Sequence, residues 1–221
     1  MQQSVFSVPE APHLKIIGFE AGPVATNGYI IADIQSNEAI IIDAPYNSAD
    51  MFEAILQHYS LHASALWLTH SHWDHTADAS ILQKKGLQVS CHQDDIYRLI
   101  NPMEHTLWPL PFTIYPVSPV EKLIENDILH CGEWEFNVMH TPGHTEGSVC
   151  FISKKYNCAI VGDTLFAESI GRTDLPGGNT NQLIHSIKSK LLALSPETVI
   201  FPGHGEISTI GHEQRYNQYI Q

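Results

Sequence analysis

The sequence predicts an α/β fold, and two observations carry that prediction. Short β-branched or apolar runs recur along the chain and each stops at a polar residue: AIIID at 39–43, ALWLTH at 65–70, AIVGD at 159–163 and VIFPGH at 199–204. Apolar runs of this length bounded by turn signals read as strands buried on both faces. Helical patterns at 48–59 and 180–194 lie between or beside them. The chain has 221 residues, 43% of them hydrophobic, enough for a sizeable core.

The elements follow in order. Segments 14–19 and 28–34 read as an opening hairpin, then come the strand ending at Asp43, the helix at 48–59 and the strand ending at His70. A short strand at 89–92 leads into a helix at 94–100. The Pro-rich stretch 101–119 reads as an excursion over the surface bordering a substrate cleft, not as a domain boundary. Strands at 135–140 and 148–153 flank a turn in HTPGHTEGS, and the last strands end at Asp163 and His204 around the helix at 180–194. A strand ending in Asp, then a helix, then a strand ending in His occurs once in each half. This pattern reads as a weak internal duplication within one domain, 1–221.

In buried sheets, chemistry collects where strands give way to loops. Asp43, His70, Asp163 and His204 are therefore expected along one sheet edge. The stretch LTHSHWDHTAD adds His72, Asp74 and His75 to His70 within six residues. In extended chain His70 and His72 point the same way, while Asp74 and His75 diverge, so two ligands serve one metal and two can serve its neighbour. Imidazoles and carboxylates without thiolates suit zinc, iron or manganese with water completing the site, which points to catalysis. His13, His58, His62, His92, His105, His130, His140, His185 and His212 read as surface or satisfied core histidines.

A formal net charge of −13 opposes binding to nucleic acid or to anionic membranes. With no signal-like start and no membrane-length apolar run, the expected location is cytoplasmic. Cys91, Cys131, Cys150 and Cys158 make no C-x-x-C pair and read as buried thiols without function.

Five ordered motifs, Asp43 in IIIDAP, then THSHWDH, His144 in TPGHTEGS, Asp163 in VGDTLF and His204 in FPGHG, resemble the metallo-β-lactamase fold superfamily over nearly the whole chain. The resemblance implies a four-layer αββα sandwich with two divalent metal ions at one edge of its sheets, zinc first, with iron or manganese as alternatives. It implies that His70, His72 and His144 hold one metal, that Asp74, His75 and His204 hold the other, and that Asp163 bridges them. Asp43 would orient the ligand loop without binding metal, and Asp74 would also act catalytically by orienting a metal-bridging hydroxide.

The aspartate at 163 and the run GDTLFAESIGRTDLPGGN resemble the short glyoxalase II-like hydrolases. That implies hydrolysis of a glutathione thioester, S-D-lactoylglutathione first. The two-domain members continue into a helical domain that holds glutathione, whereas this sequence ends at Gln221. Arg172 pairs with Asp174 in a loop beside the site and is a candidate for a substrate carboxylate. Asp78, where relatives often have Gly, reads as a structural carboxylate at a helix terminus, and Gly28 replaces a frequent Cys. The rival resemblance is to persulfide dioxygenases, which share GRTD and would hold one iron with His70, His144 and Asp163; a lactone or ester hydrolase of the same fold is the other alternative.

Overall fold

Alternation along the strands builds the molecule. In the computed structural model, which describes residues 3–221, a seven-stranded sheet takes the chain in order: β1 (Gln3–Val8), β2 (Ala11–Ala21), β3 (Thr26–Asp33), β4 (Glu38–Ile42), β5 (His62–Trp67), β6 (Gln88–His92) and β7 (Glu121–Leu123). The first four strands pair antiparallel; β4 through β7 pair parallel. The second sheet contains β8 (Ile128–Cys131), β9 (Trp134–His140), β10 (Val149–Ser153) and β11 (Cys158–Gly162). A small hairpin, β12 (Leu165–Phe166) and β13 (Ser169–Ile170), follows, and β14 (Val199–Pro202) and β15 (Ser208–Thr209) complete the second sheet in the order β15-β14-β11-β10-β9-β8.

Neighbouring residues of one strand serve different layers. Ile16, Ile31, Ile42 and Trp67 join Phe136, Val138, Phe151, Ile160 and Phe201 in the core between the sheets. Ile17, Ile30, Ile41 and Leu66 instead face α1 (Ala49–Tyr59) and α3 (Ala79–Lys84) through Phe52, Ile55, Ala79 and Leu82. On the far side, Ile152, Val161 and Ile200 pack on α5 (Thr180–Ser189) and α6 (Ile210–Tyr216) through Leu183, Ile187 and Ile210. The result is the expected αββα sandwich. Strands buried on both faces explain why AIIID and AIVGD read as continuous apolar runs rather than alternating ones.

The two Asp-to-His pairs become two βαβ units, β4-α1-β5 and β11-α5-β14, each with parallel strands. Some boundaries differ from the sequence reading. β5 starts at His62 and stops at Trp67, so His70 lies three residues beyond the ladder. The 180–194 helix ends at Ser189 and continues as a 3₁₀ turn, Leu191–Ala193. The 94–100 helix splits into a 3₁₀ turn, Gln93–Asp95, and α4 (Ile96–Ile100). Asp78 does precede α3, but its side chain does not cap that helix; its Oδ2 accepts from the backbone N–H of Ala49 at 3.0 Å and so caps α1 instead. Among the described residues, no helix is long and apolar enough to cross a membrane, and the four cysteines are free and buried.

Candidate metal centre

One end of the sandwich collects the strand termini. Asp43 follows β4 directly and sits at φ +56°, a left-handed conformation costly for a residue with a Cβ. That backbone turn aims the carboxylate back under the next loop. Its Oδ1 accepts the Thr69 backbone N–H at 2.8 Å, while Oδ2 takes the Thr69 hydroxyl and His75 Nδ1, each at 2.8 Å. Asp43 therefore lies behind the histidines and fixes the loop that carries them. The short helix α2 (Trp73–Thr76) then carries Asp74 and His75 on successive positions, and their tips converge, His75 Nε2 lying 3.4 Å from Asp74 Oδ2; the divergence expected of an extended chain is not found because this segment is helical.

The hydrogen bonds set which nitrogen of each ring faces inward. His144 Nδ1 is 2.7 Å from the Arg172 carbonyl, which can only accept, so this nitrogen carries the proton. Thr69 gives its proton to Asp43, so its hydroxyl oxygen accepts from His70 Nδ1 at 3.1 Å. Both rings thus turn bare Nε2 atoms inward, 3.2 Å apart, and His72 Nδ1 comes within 2.8 Å of His144 Nε2. Two lone pairs cannot hydrogen-bond to each other. A cation between them satisfies both.

The second half has the same logic. His204 Nε2 is 3.1 Å and His75 Nε2 3.4 Å from Asp74 Oδ2. Asp163 lies between the halves: Oδ1 is 3.3 Å from His75 Nε2, and Oδ2 is 3.5 and 3.6 Å from His144 and His204 Nε2. His75 Nε2 and Asp163 Oδ1 are buried without a hydrogen-bond partner, an expensive arrangement that a metal ion relieves. His70, His72 and His144 form one group of donor atoms lying within 4.8 Å of one another, and Asp74, His75 and His204 form a second. The residues present fit divalent metal ions.

Electrostatics point the same way. Burial, reinforced by the other imidazoles, pushes His70 well below the usual histidine range, and burial with His144 brings His72 down to about 3. Burial also lowers His144. The three imidazoles of the His70/His72/His144 cradle are therefore uncharged near neutral pH, each with one nitrogen free to offer a lone pair. Burial opposes charge on His75, but Asp163, Asp74 and Asp43 override it and raise that group well above its ordinary value. Asp74 and Asp163 stay ionised despite burial because the surrounding histidines hold both below the usual carboxylate range.

The sequence reading missed the residues that join the two ligand loops. Asp95, fully buried, accepts five bonds: Ser71 N–H, Ser71 Oγ and Thr145 Oγ1, each at 2.9 Å, on one oxygen, and Gly147 N–H at 2.8 Å and Arg98 at 3.1 Å on the other. It clamps the loop of His70 and His72 to the loop of His144. Arg98 in turn bonds Glu146 and the Pro176 carbonyl. Thr26 gives its hydroxyl proton to Asp74 at 2.9 Å and bridges His204 through the backbone. The only sequence signal was the acidic pair at the start of the 94–100 helix.

Gly203 matters by what it lacks: a Cβ there would stand 2.1 Å from Asp163 Oδ1 and 2.6 Å from His75 Cε1. His72, Asp74, His144, Asp163 and His204 open on a cavity of about 690 Å³ bordered by the Pro-rich 101–119 segment. Arg172 lines it too, held by a two-point ion pair with Asp174 at 2.8 Å on each oxygen. His92 and His140, away from this cavity, stack with centroids 4.0 Å apart, and His140 Nε2 contacts the Glu146 carbonyl at 2.8 Å.

An αββα sandwich with candidate metal donors from four sequence motifs, braced by the aspartate of a fifth, defines a metallohydrolase class. The chain belongs to the Metallo-beta-lactamase superfamily, whose family model matches residues 21–204. Among curated relatives, an uncharacterized protein of Mycobacterium leprae is 38% identical over 214 residues, covering 93% of this chain and 98% of its own. The Hydroxyacylglutathione hydrolase GloC of Haemophilus influenzae is 35% identical over 198 residues, 88% of this chain and 92% of its own. Among solved structures, the BLEG-1 B3 metallo-beta-lactamase superposes with a TM-score of 0.84 at 33% identity, covering 92% of this chain and 98% of that one. TTHA1623 in a di-iron-bound form gives 0.80 at 32% identity, with 91% and 98% covered.

Proposed function

We propose that this protein is a metal-dependent hydrolase of thioesters that uses two divalent ions, zinc, iron or manganese, held by His70, His72 and His144 on one side and Asp74, His75 and His204 on the other, with Asp163 between. The observation that carries the reading is the pair of converging donor groups opening onto one cavity, with the bare Nε2 atoms of His70 and His144 turned inward in the first of them. The di-iron-bound form of TTHA1623 supports iron as one of these metals. The name of the Haemophilus relative supports a glutathione thioester, S-D-lactoylglutathione, as the first substrate to test.

Bound divalent ions would supply an acidified water as nucleophile and polarise the carbonyl under attack. The chain's own residues do the rest. Asp74, ionised and held by Thr26, accepts a hydrogen bond from the attacking water and aims it. Asp43 and the Arg172 carbonyl keep the imidazole tautomers fixed, so the inward nitrogens need no reorganisation. A thiolate leaving group departs with little protonation, and no nucleophilic side chain is required.

The test is elemental analysis of the purified protein together with hydrolysis of S-D-lactoylglutathione and a simple acyl thioester. Two metals per chain with thioester cleavage is expected, and H72A and D163A should abolish turnover in a folded protein. A single iron with oxygen uptake on a persulfide, or full activity in either variant, overturns the reading.

A further inference from the structure

The cavity wall beside the metal donors is lined largely by apolar side chains, with Glu104, His105 and Thr106 among them, and it carries large side chains that the core does not use. Leu107 and Trp108 are 58% and 44% exposed although they are among the most apolar residues of the 101–119 flap. They are not frayed. Phe112 stacks on Tyr46 with centroids 3.7 Å apart and planes at 11°, and Pro102, Ile114 and Val117 are buried. Thr106 Oγ1 also donates to the Pro102 carbonyl at 2.9 Å. The flap is therefore pinned on both sides of a tip that presents Leu107 and Trp108 to the cavity. Trp73, Phe166, Ile170 and Leu175 continue that wall.

Charge is arranged against the alternative occupant. The lining has two guanidinium groups and no lysine among the described residues. Arg98 is taken by Asp95 and Glu146, and Arg172 by Asp174, with its guanidinium 5.7 Å over the Trp108 ring. A peptide thiol such as glutathione brings two carboxylates, and each would meet a cation already neutralised, in a chain of net charge −13. Glu104 of the flap also lines the cavity and adds a negative charge, whereas an uncharged hydrocarbon lying along Leu107, Trp108, Phe166 and Leu175 gains by leaving water.

Resting on the thioester reading, we infer that the flap and the facing wall form an acyl-chain site, and that the protein prefers thioesters whose acyl group is an apolar chain of about four to eight carbons. The carbonyl lies at the His/Asp cluster and the chain runs under Leu107 and Trp108. The flap tip sets specificity; it takes no part in the bond-breaking step.

The experiment measures kcat/KM of the metal-loaded protein on acetyl, butanoyl, hexanoyl and octanoyl thioesters of N-acetylcysteamine, a neutral thiol, with acetate and hexanoate binding followed by calorimetry. Each buried methylene raises kcat/KM about fourfold, ~10²-fold from acetyl to hexanoyl. L107A and W108A, both at exposed positions, each cut the hexanoyl-to-acetyl ratio about tenfold. Turnover that does not rise with chain length overturns the acyl-chain site and leaves the thioester reading standing. Hexanoate binding at least about tenfold tighter than acetate and weakened by W108A, with no thioester cleaved, keeps the site and overturns the thioester reading instead. If neither chain-length effect is seen and no thioester is cleaved, both fall.

Discussion

Replacing Asp95 by Asn tests the claim that this buried carboxylate holds the two ligand loops together. The amide keeps the shape but turns one acceptor into a donor. If its nitrogen takes the position beside Gly147 and Arg98, two N–H groups at 2.8 and 3.1 Å face another N–H. If it turns to the other position, Ser71 N–H and two hydroxyls at 2.9 Å lose their acceptor, and only the hydroxyls can rotate away. Either way at least one buried N–H is stranded, and Arg98 loses the charge of Asp95. A stranded buried group costs about 1–3 kcal/mol, and breaking one side of a buried ion pair costs ~3–5 kcal/mol. Because Arg98 keeps Glu146, about 3 kcal/mol is expected here. Urea unfolding measures the loss of stability, and competition with a chelator measures metal affinity, expected to fall ~10–100-fold because Ser71 and Thr145 adjoin His70, His72 and His144. A D95N protein with the wild-type unfolding midpoint and wild-type metal affinity would refute the clamp.

Three further outcomes are expected. Gly203→Ala puts a methyl 2.1 Å from Asp163 Oδ1, so it should lower the bound metal per chain while far-UV circular dichroism stays unchanged. Burial opposes the Asp33 charge, but the backbone N–H groups of Glu133, Ser36 and Gln35 hold this carboxyl below its usual range. Its contribution is therefore complete above the unfolded pKa of about 3.9 and is lost as pH falls through the lower folded value; D33N should lose about 1–2 kcal/mol at pH 7 and show a flatter acid limb in unfolding midpoints. Stripping metal with a chelator should lower the thermal midpoint, since an ion at ~1,000 times its Kd adds about 4 kcal/mol to the folded state. An unchanged melting curve would argue against resident metal.

The α/β class and the approximate ends of the buried strands were legible in the chain alone, although β5 stops at Trp67 and not at His70. Period-two burial on both faces leaves continuous apolar runs, and a run that stops at Asp or His marks the sheet edge. That was enough to expect Asp43, His70, Asp163 and His204 along one sheet edge, and HSHWDH marked a cluster of donors, but the helical turn at 73–76 makes Asp74 and His75 converge where an extended chain would part them. Which nitrogen each ring turns inward was not legible in the sequence, because the partners that set it, the Arg172 carbonyl and the Asp43 carboxylate, lie 28 and 32 residues away from His144 and His75 and meet them only in the folded chain. The same holds for Asp78, which caps α1 across the fold, and for Asp95, which joins loops 24 and 50 residues distant. A hydrogen bond depends on distance in space, and a single chain shows only distance along itself.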